Sequence, residues 1–417
     1  MLIDKAAGAA MDMGWDFVPE LEELKDAHSS GGVEGVRTLL ERKRDQWKQI
    51  PLNVAVIGNS GVGKSSFINA IRRLTADDEG AAKVGVKETT VDIESYPHPN
   101  NPLLKFWDLP GVGTDRFPRQ TYLSDIEVDR FDFFLLITAD RFTENDTWLG
   151  KEFRRRNKKY FFVRTKVGAD ISNNKKAHPK THNEGDVMRD ILESTEEHLK
   201  ENECEDVPVF LIDSYKLTKF DFEQLEGRLI EDFPKMKKAA LVLSLQTTSK
   251  EMVQLKVAEL RSRMWKLAAL SGVVAAIPVP GVSIIMDIAI VTEEAEFYYT
   301  QLGLDETSLK RYAKLTSTDY RKLKSVVDSY LGCIGMEGVR KLVEEITKRG
   351  APVVASAVVE EGSRFIPFIG ALIAAPLSFG GTYYAMKLVL DKMERVALKV
   401  VECAAESAAS TEDSGDD

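Results

Sequence analysis

Gly58-Asn59-Ser60-Gly61-Val62-Gly63-Lys64-Ser65 spells GxxxxGKS between an apolar, strand-like segment at 52–57 and an amphipathic segment at 66–72 that opens on Ser66. A strand, a glycine-rich loop and a helix in that order turn successive backbone N–H groups and a helix N-terminus toward one anion. Glycines allow the backbone to wrap around a polyphosphate, which a chain with side chains at each of those positions would obstruct. Lys64 is placed to reach the β- and γ-phosphates, and Ser65 to ligate Mg²⁺. The pattern predicts binding of a nucleoside triphosphate, and few folds other than a parallel α/β sheet supply that context.

A second segment agrees with the first. The strand-like run 103–107 leads into Asp108-Leu109-Pro110-Gly111, a DxxG pattern whose carboxylate can bind Mg²⁺ through water and whose Gly111 amide can sense a γ-phosphate. Between the two lies 80–90, in the position of a switch loop and ahead of a further strand candidate at 91–96. A threonine there can complete the Mg²⁺ shell, with Thr90 preferred over Thr89. The residue after DxxG is Val112, which cannot orient water.

These residues resemble the immunity-related, interferon-inducible GTPases of the p47 type. The likeness extends through GAAKxGVxExT at 80–90, YPHPN at 96–100, FWDLPGVG at 106–113, Phe131-Asp132-Phe133-Phe134, YFFVRTKV at 160–167, Phe220-Asp221-Phe222 and GLDETSL at 303–309, so it covers roughly residues 30–400. Lys64 places the chain with the lysine-containing subgroup. The resemblance implies GTP as ligand and GDP as product, Mg²⁺ as cofactor, and self-association in the GTP-bound form. It also implies association with related GTPases and a role in cell-autonomous defence at intracellular membranes. Glu88 matches the switch-loop glutamate implicated in hydrolysis, acting with Lys64.

The base-reading region departs from the family pattern twice. Where the family has TKxD, this chain has Thr165-Lys166-Val167-Gly168, so glycine replaces the carboxylate that would accept hydrogen bonds from guanine N1 and N2. Where the family tends to have serine, this chain has Asp213, followed by Ser214 and Tyr215. Asp170 can reach the base if the loop is redrawn, or it can serve as an ordinary loop or helix-capping residue. Thr165, Lys166, Asp170, Asp213 and Ser214 are the candidates for the base side of the site.

The chain of 417 residues is 43% hydrophobic and carries a net charge of −10. Such a chain is globular and large enough for two or three compact units. The negative balance argues against nucleic acid as a partner, since that binding needs a basic face. The basic run 151–159 reads either as a solvated helix face or as a surface for an acidic partner or anionic lipid. Three widely spaced cysteines and the absence of a secretory or myristoylation signal suit a reducing, cytoplasmic compartment, with any membrane contact peripheral. Five scattered histidines give no zinc spacing.

Residues 1–50 read as a helical segment split near Ser29-Ser30-Gly31-Gly32. Residues 51–236 hold six strand candidates alternating with helices, the signature of a doubly wound α/β phosphate-loop GTPase domain. Residues 237–403 are helical in periodicity and join the N-terminal segment in an α-helical domain. The small, acidic tail 404–417 is expected to be disordered. Two uncharged runs, 20 residues at 267–286 and 22 at 365–386, each contain prolines and glycines and share an Ile-Pro-x-x-Gly motif, at 277–281 and 366–370, that opens an apolar helix. They are either buried helical hairpins of that domain or hairpins that touch lipid. The reading is a Mg²⁺-dependent GTPase that self-associates, with a non-catalytic nucleotide-binding regulator of relaxed base choice as the alternative.

Overall fold

A computed structural model describes residues 21–85, 93–114, 116–204, 206–274, 282–331 and 379–412. The chain divides into two compact units, one of residues 48–245 and one drawn from the chain on either side, 1–47 and 246–417.

The first unit is built on a six-stranded sheet ordered β2-β3-β1-β4-β5-β6. Its strands are β1 (Leu52–Ile57), β2 (Glu94–His98), β3 (Asn101–Leu109), β4 (Phe133–Thr138), β5 (Tyr160–Arg164) and β6 (Val209–Leu211). Only β2 runs antiparallel, paired with β3; the other pairings are parallel. All six residues of β4 and all five of β5 are buried, as expected of strands covered on both faces. Phe134 stacks on Phe153 of a flanking helix at 4.1 Å between ring centroids, and Phe133 meets Phe161 edge-on at 4.7 Å. The six predicted strands and the doubly wound arrangement are present. The basic run 151–159 continues the helix Glu144–Arg155 into an exposed turn before β5, the solvated-face alternative.

The helix Lys235–Ser244 belongs to this unit, which moves the boundary expected at residue 236 to residue 245. Lys237 Nζ bonds the Pro51 carbonyl at 2.7 Å and pairs with Asp132 at 2.9 Å, while Asn101 Nδ2 donates to Ser244 Oγ at 2.8 Å. Helical periodicity marks a helix but not the unit that its side chains join. Asp132 also accepts from the Asn53 amide at 2.9 Å, which accounts for the aspartate in the Phe131-Asp132-Phe133-Phe134 motif.

The second unit is helical. Its first helix, α1 (Leu21–Arg44), has a non-helical Gly32 at φ 59°, ψ −143°, the break expected in the N-terminal segment. Helix α2 (Lys250–Val274) packs along α3 (Phe379–Glu412), where Arg261 meets Asp391 at 3.1 Å and Glu394 at 2.7 Å. Helix α4 (Val282–Gln301) is tied to α2 by a buried ion pair, Arg263 to Glu294 at 2.7 Å. Contrary to the expected disorder of 404–417, α3 continues through Glu412, with Ala404 buried and Ser407 Oγ accepting from Lys322 at 2.8 Å. The alanines that made the tail look featureless are also the strongest helix formers. Residues 413–417, the Ile-Pro-x-x-Gly turns at 277–281 and 366–370, and most of the second apolar run lie outside the described residues. Among those described, no helix is long and apolar enough to cross a membrane.

Candidate functional site

The phosphate-loop residues, Asp108 and most of the predicted base-side residues lie at the C-terminal edge of the parallel strands, where loops from several strands converge. The phosphate loop leaves β1 and feeds the helix Lys64–Ile71, whose N-cap, Gly63, has φ 96°, a left-handed conformation in which glycine is unstrained. Asp108, on β3, lies in register with Val56 of β1. That neighbouring register brings the DxxG segment against the loop although the two are far apart in the chain.

Lys64 and Asp108 are both buried. Lys64 Nζ lies 3.7 Å from Asp108 Oδ1 and donates to the Asn59 carbonyl at 3.3 Å. Ser65 Oγ donates to Asp108 Oδ2 at 3.1 Å. A buried cation, a hydroxyl and a carboxylate thus stand together at the first turn of a helix, the arrangement the two motifs require. A Cβ on Gly111 would come within 2.6 Å of Asn59 Oδ1, so the Gly111 backbone runs directly against the loop. Val112 turns into the hydrophobic core, leaving no side chain after DxxG to hold water.

The base side is tied to the phosphate side by direct bonds. Thr165 Oγ1 donates to the Val62 carbonyl at 2.6 Å, and Lys166 Nζ donates to the Gly61 carbonyl at 2.7 Å. Lys166 itself is left-handed at φ 60° and caps the helix Val167–Ala177. One cavity is lined by Ser60, Gly61, Gly63, Lys64, Ser65 and Ser66 of the loop and by Thr165 and Lys166. Asp213, Ser214 and Tyr215 close its far side. Gly58, Asn59 and Val62 do not line this cavity; the Asn59 and Val62 carbonyls accept the bonds from Lys64 and Thr165 given above.

Asp170 is not brought to this cavity. Its Oδ2 accepts from Arg164 at 2.7 Å, in an ion pair whose arginine is almost fully buried. Burial raises the Asp170 carboxyl above its ordinary value, and the adjacent guanidinium partly offsets that shift. Nothing local in the sequence marks Arg164 as the partner that removes Asp170 from the base side. Lys83, Val84 and Gly85 also line the cavity, ahead of the switch-loop residues. Glu88, Thr89 and Thr90 lie outside the described residues.

Comparison with known proteins identifies relatives over most of the chain. Interferon-inducible GTPase 5 of Rattus norvegicus is 35% identical over 388 residues, covering 92% of this chain and 83% of the relative. Interferon-inducible GTPase 1 of Mus musculus is 36% identical over 278 residues, covering 67% of each. Interferon-gamma-inducible GTPase 10 of Mus musculus is 30% identical over 371 residues, covering 89% of this chain and 86% of the relative. With the interferon-inducible GTPase (IIGP) family model matching residues 19–332, the chain belongs to that family.

Proposed function

We propose that this chain binds and hydrolyses GTP with Mg²⁺, and that it self-associates in the GTP-bound form. The observation that carries the reading is the cluster of buried Lys64 and Asp108 with half-buried Ser65 at the phosphate loop, in which Lys64 and Ser65 line one cavity with Thr165, Lys166 and Asp213 of the base side. Lys64 meets the β- and γ-phosphates as a point charge, loop amides bond their oxygens, and the Gly111 amide faces the terminal phosphate. Ser65 Oγ and the Asp108 carboxylate are hard oxygen donors 3.1 Å apart, which suits Mg²⁺. Ser65 would hold the ion directly, Asp108 through water, and Thr90 would join them from the switch loop. When bound, the ion neutralises charge on the β- and γ-oxygens.

Glu88 is the residue of this chain proposed to assist hydrolysis. The setting that fits is cytoplasmic, with peripheral contact at intracellular membranes and with a second copy or a related GTPase as partner. Val112, buried where a water-orienting side chain would otherwise stand, favours a second reading in which the chain binds nucleotide without turnover. Isothermal titration of a non-hydrolysable GTP analogue tests the core of the proposal. Lys64→Ala should abolish measurable affinity, because the polyanion loses its only buried lysine contact in the loop, and wild-type affinity in this variant would remove the assignment.

A further inference from the structure

Gly168 occupies the position at which the family resemblance places a guanine-reading carboxylate. The space beside it is filled. A Cβ built on Gly168 would lie 2.2 Å from Asp213 Oδ2 and 3.3 Å from its Cγ. The Asp213 carboxylate therefore sits in the volume that a side chain at 168 would enter. It arrives from the other direction, off the end of β6, the strand beside β5.

We propose that Asp213 is the residue that reads the guanine base in this chain, supplying from the β6 loop the carboxylate that position 168 lacks. The inference rests on the guanine-nucleotide reading above and deepens it. Three observations carry it. Asp213 lines the same cavity as Gly61, Lys64 and Lys166, whereas Asp170 does not. Its Oδ1 is fixed by the Tyr215 amide at 2.9 Å, an Asx-type turn that orients the carboxylate, while Oδ2 makes no hydrogen bond among the described residues. Asp170, the alternative carboxylate, is held by Arg164.

The chemistry matches guanine. An ionised carboxylate is acceptor-only and can take both the N1–H and the N2–H of guanine, whereas adenine has no donor at N1 and xanthine presents a carbonyl at C2. A buried polar site left unpaired by the wrong base discriminates by roughly tenfold or more. A side chain at 168 would have to displace the Asp213 carboxylate, so Gly168 leaves that carboxylate its place.

Competition titrations against a fluorescent GDP analogue, with GTP, ATP and xanthosine triphosphate on the full chain, test the inference. Wild type should prefer GTP over ATP by at least about tenfold; no such preference would overturn the guanine reading itself, and the inference with it. Given that preference, Asp213→Asn should weaken GTP by roughly tenfold or more and favour xanthosine triphosphate, whose carbonyl accepts from the new amide. Asp170→Asn should leave the ratio of GTP to xanthosine triphosphate unchanged. An unchanged ratio in Asp213→Asn, or a reversed ratio in Asp170→Asn, overturns the assignment while leaving GTP binding intact. A second pair of variants guards against misfolding. Gly168→Asp alone should lose guanine preference through the clash with Asp213, and Gly168→Asp with Asp213→Ser should regain it. A double variant that remains as unselective as the single one also overturns the proposal.

Discussion

At the residue scale, the site depends on positions where one added atom has no room. Gly58 follows the last residue of β1, and a Cβ there would lie 2.2 Å from the Ile137 carbonyl of the neighbouring β4. Backbone on a central strand cannot step aside as a flexible side chain would. Gly58→Ala should therefore displace the start of the phosphate loop from the sheet. The expected loss of folding stability is about 1–3 kcal/mol, the usual cost of overpacking, with a lower melting temperature in the absence of nucleotide. Titration with a GTP analogue should show weakened affinity in the same variant, and unchanged values on both measurements would mean that the loop tolerates the methyl group. The phosphate side was legible in the sequence because its chemistry is contained in one contiguous stretch plus Asp108. The base side was not, because Gly168 and Asp213 become neighbours only through the pairing of β5 with β6, and Asp170 is removed by Arg164, whose place in YFFVRTKV gives no sign of that pairing.

At the scale of elements, the C-terminal end of α4 carries an unusual group. Lys256 of α2 is buried, and its Nζ donates to the Gln301 carbonyl at 2.9 Å, while Thr247 Oγ1 donates to the same oxygen at 2.8 Å. Burial pushes the lysine down to about 7, with Asp305 partly opposing the shift. The unfolded lysine titrates near 10.5. Between these two values the unfolded chain binds more protons than the folded one, so stability rises as pH increases from about 7 to about 10.5 and is lowest, and flat, below 7. The contribution has a slope of at most about 1.4 kcal/mol per pH unit. Lys256→Met keeps the length of the side chain and leaves the Gln301 carbonyl its bond from Thr247. It should stabilise the helical unit at pH 7, and its advantage over wild type should shrink toward pH 10. Denaturant melts at several pH values would reveal this, and parallel curves for the two proteins would contradict it. Helical periodicity over 237–403 anticipates helices there but gives no sign that Lys256 is buried. The burial of that lysine follows from the end of a second helix, which a one-dimensional pattern does not contain.

At the scale of the whole molecule, the change from alternating strands and helices to continuous helical periodicity revealed two kinds of unit. The boundary at residue 245 depended on bonds such as Lys237 to Asp132, which join segments distant in sequence. The nucleotide unit holds the candidate site among its described residues. Its phosphate end presents Lys64, Ser65, Asp108 and backbone amides, all suited to binding and to stabilising charge. Lys64, Ser65 and Asp108 are the groups assigned above to phosphate and Mg²⁺, and the side chain after DxxG is Val112, packed into the core with its carbonyl held by Asn145 Nδ2 at 3.0 Å. In the function proposed above, turnover draws on a group from the switch loop, Glu88, placed by contact with a second molecule. Specific GTPase activity should therefore rise with protein concentration, because the proposed productive state is bimolecular. Glu88→Ala should slow hydrolysis by about 10²-fold, the scale of a positioned acid–base or water-orienting group, with nucleotide affinity little changed. The two measurements separate the possibilities: a rate per molecule that is constant across concentrations removes the assembly requirement, an unaltered rate in Glu88→Ala removes that residue, and tight binding without turnover at any concentration makes the chain a nucleotide-binding regulator.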